Sequence, residues 1–327
     1  MGFKKTLFYI VTAFLLFTLA ACGNKQEDNQ TDGTGTDSKQ ESYTIDHAMG
    51  STEIKGTPQR VVILTNEGTE ALLSMGVKPV GAVRSWLGDP WYEHIASDMD
   101  GVQVVGTESE VNLEAIAALK PDLIIGNKMR QEKIYDKLSA IAPTVFAETL
   151  RGDWQQNFRL YAKALNKEAE GDKVIEDFEG RINDLKASAG DKLNQKVSVV
   201  RFMAGLTRVY YTDTFSGVIF EKLGLNYSDS IQELFKDNPD DLFVREVGKE
   251  AIPQMDADLL FYFTYAPPGD SEANKTEKEW TNDPLWKNLN VVKEGKAYRV
   301  DDAIWNTAGG VIAANLMLDD LEKILSE

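Results

Sequence analysis

VQVVGTESEVNLEAIAALKPDLIIGNKMR, residues 102 to 130, reads in order as a strand edge, an acidic loop, a helix, a turn, a buried strand and an abrupt polar end. Asn112 stands where a helix N-cap belongs, and Glu114 falls in the first turn, where the helix dipole favours an acid. Ala115, Ile116, Ala118 and Leu119 supply an apolar face. Pro121 ends the helix, because the residue before a proline, here Lys120, is pushed out of the right-handed helical region. Asp122 to Ile125 then has the continuous apolar character of a strand buried on both faces of a parallel sheet. Ligands of open α/β sheets sit outside the carboxyl ends of the strands, and there the chain turns into Gly126-Asn-Lys-Met-Arg130. Two readings stand at this point: Lys128 and Arg130 face a negatively charged small molecule, or they are surface cations of a solvated loop.

The same grammar extends in both directions. Upstream, Tyr43 to Ile54 reads as an antiparallel ribbon, Arg60 to Leu64 as a buried strand, and Thr65 to Met75 as a helix ended by Gly76. Val80 to Val83 is a second strand, with Arg84, Ser85 and Trp86 at its carboxyl end. Downstream, a helix from Gln131 to Ile141 leads to a strand at Thr144 to Phe146. Strands alternating with helices predict a parallel sheet with right-handed crossovers. Between Asp153 and Ala189 two apolar stripes, Trp154-Phe158-Tyr161-Leu165 and Val174-Ile175-Phe178-Ile182-Leu185, predict two helices divided near Asn166 to Glu170. The second is long, and a fresh strand series follows it, so it is expected to connect two lobes.

In the second lobe, Val197 to Phe202 is a strand, Gly205 a turn, and Val209 to Tyr211 its returning partner. A helix from Ser216 to Leu223 is capped by Gly224, and Asp258 to Phe263 is a buried strand after a short helix at Val247 to Met255. Trp280 to Leu289 reads as loop and short helix, Ala297 to Val300 as the last strand, and Ala308 to Leu325 as a final amphipathic helix. The lobes echo each other: Glu114-Ala-Ile and Glu250-Ala-Ile each stand eight residues before Asp-Leu and a strand. The expected organisation is a signal peptide at 1–21, a lipidated cysteine and tether at 22–42, an N-terminal α/β lobe at 43–165, a connecting helix at 166–190 and a C-terminal α/β lobe at 191–327. Both lobes are expected to be Rossmann-like, with parallel-type sheets.

The 327 residues carry a formal net charge of −17, which excludes a nucleic-acid partner because that demands basic surface. Lys4 and Lys5 precede an apolar run from Thr6 to Ala21, the form of a secretory signal. It ends in Leu19-Ala-Ala-Cys22, which resembles a bacterial lipobox, and Cys22 is the sole cysteine. Cleavage before Cys22 removes two lysines and no acid, taking −17 to −19. Gly23 to Ser42 is polar and too poor in apolar residues to fold, hence a tether. A lipid on Cys22 predicts a protein held at the extracytoplasmic face of the cell membrane, and a monomer is expected.

Only two histidines occur, His47 and His94, with no HExxH, P-loop, GxSxG or dinucleotide fingerprint. Neither a protein metal site nor catalysis is expected. The better signal is cations and aromatics at strand ends. Arg84 and Trp86 follow one strand, Lys128 and Arg130 another; Arg201 and Arg208 flank the Gly205 turn; Tyr265 and Trp305 follow the last strands. Guanidinium groups hold carboxylates in a fork, and aromatic rings cover apolar or chelate faces.

Pro58-Gln-Arg-Val-Val-Ile-Leu64, Glu70 to Gly81, and Asn112-Leu-Glu114 through Ile125, behind a lipobox and tether, resemble the class III substrate-binding proteins of ABC importers, which carry ferric siderophores, heme or vitamin B12. The resemblance covers the whole mature body. It implies two lobes joined by one long helix with little hinge motion, and Glu114 and Glu250, one per lobe, as partners of permease arginines. Gly126 to Arg130 and Arg201 to Tyr211 look most like Gram-positive lipoproteins for citrate-hydroxamate siderophores of the schizokinen and arthrobactin type. Such ferric chelates are anionic, which suits an arginine-lined cleft. Catecholate chelates suit one too. Heme-binding members use an axial Met or His; Met129 and Met203 stand near strand ends, the histidines do not. Iron is expected to arrive already chelated, with no permanently bound cofactor.

Overall fold

The computed structural model describes residues 42–326 apart from 151 and 153; the signal peptide, Cys22 and the tether up to residue 41 lie outside the described residues. Ser42, read as the end of the tether, is already the first residue of strand β1 (Ser42–His47), which pairs antiparallel with β2 (Gly50–Lys55). There follow β3 (Val61–Ile63), α1 (Asn66–Ser74), β4 (Gly81–Ala82), β5 (Gln103–Val104), α2 (Leu113–Ala118), β6 (Leu123–Asn127), α3 (Lys128–Gln131), α4 (Tyr135–Ser139) and β7 (Thr144–Ala147). The sheet order is β5-β4-β3-β6-β7, all parallel. Val61, Ile63, Leu123 and Ile125 face the core shared with α1, while Val62, Leu64, Ile124 and Phe146 face Ile116 of α2 and Leu138 of α4. Both faces are covered, which is why these strands read as unbroken apolar runs. The single helix expected at Gln131 to Ile141 is instead α3, a 3-10 turn (Glu132–Ile134) and α4. Gln131 explains the break. Its buried amide accepts from Asn127 N at 2.8 Å and donates to Leu64 O and Glu108 O, tying three loops together.

Helices α5 (Trp154–Ala164) and α6 (Glu168–Ala189) bury the two expected stripes and separate at Asn166, whose φ of 54° breaks the helix. At 22 residues, α6 is about 33 Å long. It packs against α5 on one side and against elements of the second lobe on the other. The second lobe contains β8 (Lys196–Met203), β9 (Leu206–Tyr210), α7 (Phe215–Leu223), β10 (Asn226–Tyr227), α8 (Asp229–Phe235), β11 (Val244–Glu246), a 3-10 turn (Lys249–Met255), β12 (Leu259–Thr264), α9 (Glu272–Thr281), α10 (Pro284–Asn288), α11 (Asn290–Lys293), β13 (Ala297–Arg299), a π-helical turn (Ala303–Thr307) and α12 (Val311–Ser326). Its sheet runs β11-β9-β8-β12-β13, with β10 beside the start of β8. This sheet is mixed: β8-β9 and β9-β11 are antiparallel, the rest parallel. Gly205, at φ 66°, makes the tight β8-β9 turn. The sequence reading missed β10, α8, β11, α9 and α11.

The internal echo has a structural cause. Asp122 accepts from Gln59 N and Arg60 N at 2.8 and 2.9 Å, and its own N–H donates to Arg60 O. Asp258 does the same for Lys196, accepting at 2.7 Å and donating in return. Each aspartate clamps the start of its strand to the neighbouring parallel strand. Upstream the copies diverge: Asn112 caps an α-helix, whereas Pro253, lacking an N–H, leaves a 3-10 turn after Gly248. Lys120 escapes the residue-before-proline clash at φ 48°. Replacing Asp122 or Asp258 by alanine is expected to cost about 1 kcal/mol each, and the two losses to add because the sites lie in different lobes. Urea unfolding of the single and double variants checks this; no shift in the midpoint for either would refute the clamp.

Candidate functional site

The carboxyl ends of both sheets open onto one cavity of about 320 Å³. The first lobe lines it with Glu67, Trp86, Glu108, Arg130, Leu150 and Trp154; the second with Arg201, Arg208, Tyr210, Phe215, Phe243, Tyr265 and the turn Asn306 to Gly309. In the first sheet the strand order reverses between β3 and β6, the switch point at which such folds bind ligands. Glu67 follows β3 and Arg130 follows β6.

Arg201 and Arg208 are Cα partners across the β8-β9 ladder, as the Gly205 ribbon predicts. Their roles differ. Arg201 is buried, and its guanidinium forks onto Asp302, Nε to Oδ2 at 2.6 Å and Nη2 to Oδ1 at 3.0 Å. Nη1 donates to Tyr210 at 3.0 Å, and the Tyr265 ring lies 4.8 Å from the guanidinium carbon. Burial opposes the Arg201 charge, but Tyr210 and Asp302 outweigh it and hold its pKa above the ordinary arginine value. Arg208 pairs with the exposed Glu246 at 2.8 Å, and its buried Nε has no hydrogen-bond partner among the described residues. Arg130 lies 5.9 Å from the Trp86 ring centre and 3.8 Å from Glu108 Oε2.

The carboxylates were not anticipated. Glu108 sits on the loop opened by Gly106, whose φ of 112° and contact with Glu110 O leave no room for a Cβ. Its Oε1 accepts from Asn66 N at 2.7 Å and Asn66 Nδ2 at 2.8 Å, so it occupies the amino terminus of α1. Burial pushes the Glu108 carboxyl up, against the pull of Asn66 and Arg130. Glu67 accepts from Tyr161 at 2.8 Å and Asn157 at 2.7 Å, and burial raises it to about 8. Arg201 is locked in its buried fork with Asp302; among the described residues of the lining, Arg130 and Arg208 are the less deeply held cations, the first 3.8 Å from Glu108 and the second paired with the exposed Glu246.

Of the expected ligand residues, the structure gathers Trp86, Arg130, Arg201, Arg208 and Tyr265 around one cavity. Three others lie elsewhere. Trp305 is fully buried: the π-helical turn rolls its ring onto Phe261 and Phe220, and Nε1 donates to Asp320 at 2.8 Å. Lys128 points to Glu148, 2.8 Å away, outside the cavity lining. Arg84 is exposed beside Asp89 and borders a smaller neighbouring depression with Trp86 and Pro267. Met129 and Met203 do not line the cavity either. Glu114 and Glu250 are exposed in the first turns of α2 and of the 3-10 turn before β12. Tyr210 lay inside the Val209 to Tyr211 strand and Asp302 two residues past the last strand, but neither was expected to partner Arg201; Glu67 and Glu108 carried no signal beyond being acids.

Two α/β lobes sharing one cavity at their strand ends have the architecture of a bilobal solute-binding protein. Residues 61–304 match the family described as periplasmic binding protein, and the chain belongs to it, with the class III fold. It is 52% identical over 317 residues to the probable siderophore-binding lipoprotein YfiY of Bacillus subtilis, covering 97% of this chain and 96% of that one. It is 31% identical to the Fe(3+)-citrate-binding protein YfmC of Bacillus subtilis, covering 98% of each. Among solved structures, Staphylococcus aureus SirA complexed with staphyloferrin B superposes with a TM-score of 0.78 at 39% identity, covering 87% of this chain and 98% of that one.

Proposed function

We propose that this protein captures a ferric siderophore of the citrate-hydroxamate type and delivers it to the permease of an iron ABC importer. The observation that carries the reading is the pair Arg130 and Arg208, one from each lobe, lining the same cavity with Trp86 and Tyr265. An anionic chelate suits two guanidinium groups, each held by a single acid, and flat aromatic walls. Arg201, locked to Asp302, shapes that wall and presents Tyr265. The iron arrives chelated, and no protein ligand to it is assigned. Cys22 carries the lipid that holds the protein at the membrane face, and Glu114 and Glu250 dock the two lobes on the permease. A ferric polycarboxylate is the second reading, favoured by the likeness to a relative named for Fe(3+)-citrate.

Tryptophan fluorescence tests the ligand. Trp86 and Trp154 line the cavity and should be quenched saturably by ferric schizokinen. Saturation by heme, cobalamin or a ferric catecholate, with no response to citrate-centred chelates, overturns the assignment. Alanine at Arg130 or Arg208 is expected to weaken binding by roughly 1.5–3 kcal/mol, about ten- to a hundredfold. Changing Glu114 and Glu250 together should abolish uptake by cells and leave the titration curve in place.

A further inference from the structure

An anion-binding cleft has no obvious use for a buried acid, yet Glu67 is 8% exposed and lines the cavity. No lysine, arginine or histidine among the described residues forms an ion pair with it. The groups facing it are Glu70 on its own helix, already bonded to His94 at 2.6 Å; Glu108 from the loop after β5, with Arg130 behind it; and Tyr161 and Asn157 from α5. From the second lobe, Gly310 and the start of α12 pack on α1 without bringing a charge to Glu67, Ala313 N donating to Glu70 at 2.9 Å, while Arg201 and Arg208 line the same cavity, each paired with its own acid. A buried carboxylate with acids around it and no cation of its own takes a proton. The position of that proton follows from the bonding. Tyr161 and Asn157 both donate to Oε1, which is therefore the carbonyl oxygen, and Oε2 is left for the hydrogen.

We propose that Glu67 is a specificity-determining residue whose Oε2–H donates a hydrogen bond to an anionic oxygen of the bound chelate, so that capture requires this proton. The ligand half of this inference rests on the function proposed above. Deprotonated, the same group sets a negative charge against the ligand. Where Glu67 has lost its proton, each binding event takes up one from water.

The test has a ligand-free arm and a ligand arm, both on the full chain. Infrared difference spectra between about pH 6 and about pH 10 should show a protonated-carboxyl band that disappears as pH rises. The band should be missing in Glu67→Gln and should titrate at higher pH in Tyr161→Phe, which removes a bond that favours the charged form. This signal reports the proton alone; the donor role is read in the second arm, which a merely structural Glu67 would not move. In the second arm, the Kd of wild type for ferric schizokinen should rise about tenfold per pH unit above about pH 8, while that of Glu67→Gln stays level. A missing band, or one unchanged by both variants, overturns the proton. Equal pH slopes in wild type and Glu67→Gln overturn the donor role. A titrating band without binding of ferric schizokinen at any pH means that the ligand reading has failed and takes the donor role with it.

Discussion

Replacing Asp302 by alanine is expected to lower the free energy of unfolding by about 3–5 kcal/mol, the largest loss among single changes at the cleft. Asp302 and Arg201 are both buried, and the aspartate takes two of the guanidinium bonds. Truncating the acid leaves a full charge with Tyr210 as its one remaining bonded partner in a site water scarcely reaches. Replacing both members by apolar residues of similar size should restore most of the stability, because buried pairs contribute little over a well-packed apolar core. The double variant should still bind ligand poorly, since Arg201 and the Tyr265 ring stacked on it form part of the wall. Urea unfolding of Asp302→Ala and of the double variant, beside a ligand titration, separates these outcomes. An Asp302→Ala protein with the wild-type midpoint would show that the fork contributes nothing to the fold.

Glu67→Gln is expected to make the protein more stable than wild type at alkaline pH and about equally stable in acid. The folded-state pKa of Glu67 is raised from the ordinary 4.5 to about 8, chiefly by burial. A carboxyl raised in this way contributes its full stability below pH 4.5. That contribution falls as pH rises from there and is gone once pH passes about 8. The difference between variant and wild type should therefore grow through this window and reach on the order of 5 kcal/mol above it. Glutamine keeps an oxygen for Tyr161 and Asn157 and has no charge to bury. Unfolding curves at a series of pH values measure the difference directly; a difference that does not change with pH would mean that Glu67 titrates alike in the folded and unfolded chains and that burial has not raised it.

Both results depend on residues whose meaning differs sharply in how far it can be read locally. The Asn112 cap, the Pro121 stop, the Gly205 turn and the split at Asn166 each depend on neighbours within a few residues, and each stands where local stereochemistry places it. Arg201 opposite Arg208 belongs here too, because a tight turn between two short strands fixes their register. The paired aspartates at 122 and 258 were visible as an echo, and the clamp they make explains why it is there.

Direction and partnership were decided by the tertiary structure. Trp305, Lys128 and Arg84 all lie just past strand ends, as a cleft residue should, and all three point away from the cavity. A single π-helical turn turns Trp305 into the core, while Glu148 and Asp89 hold the two cations outside. Glu67 and Glu108, 41 residues apart in the chain, become neighbours only when the β3 and β5 loops meet over the switch point. Local sequence carries propensity, capping and register, because these act over a few residues. Which acid loses water, which arginine is locked in a buried fork and which ring lines the cavity depend on burial, and burial is a property of the assembled fold.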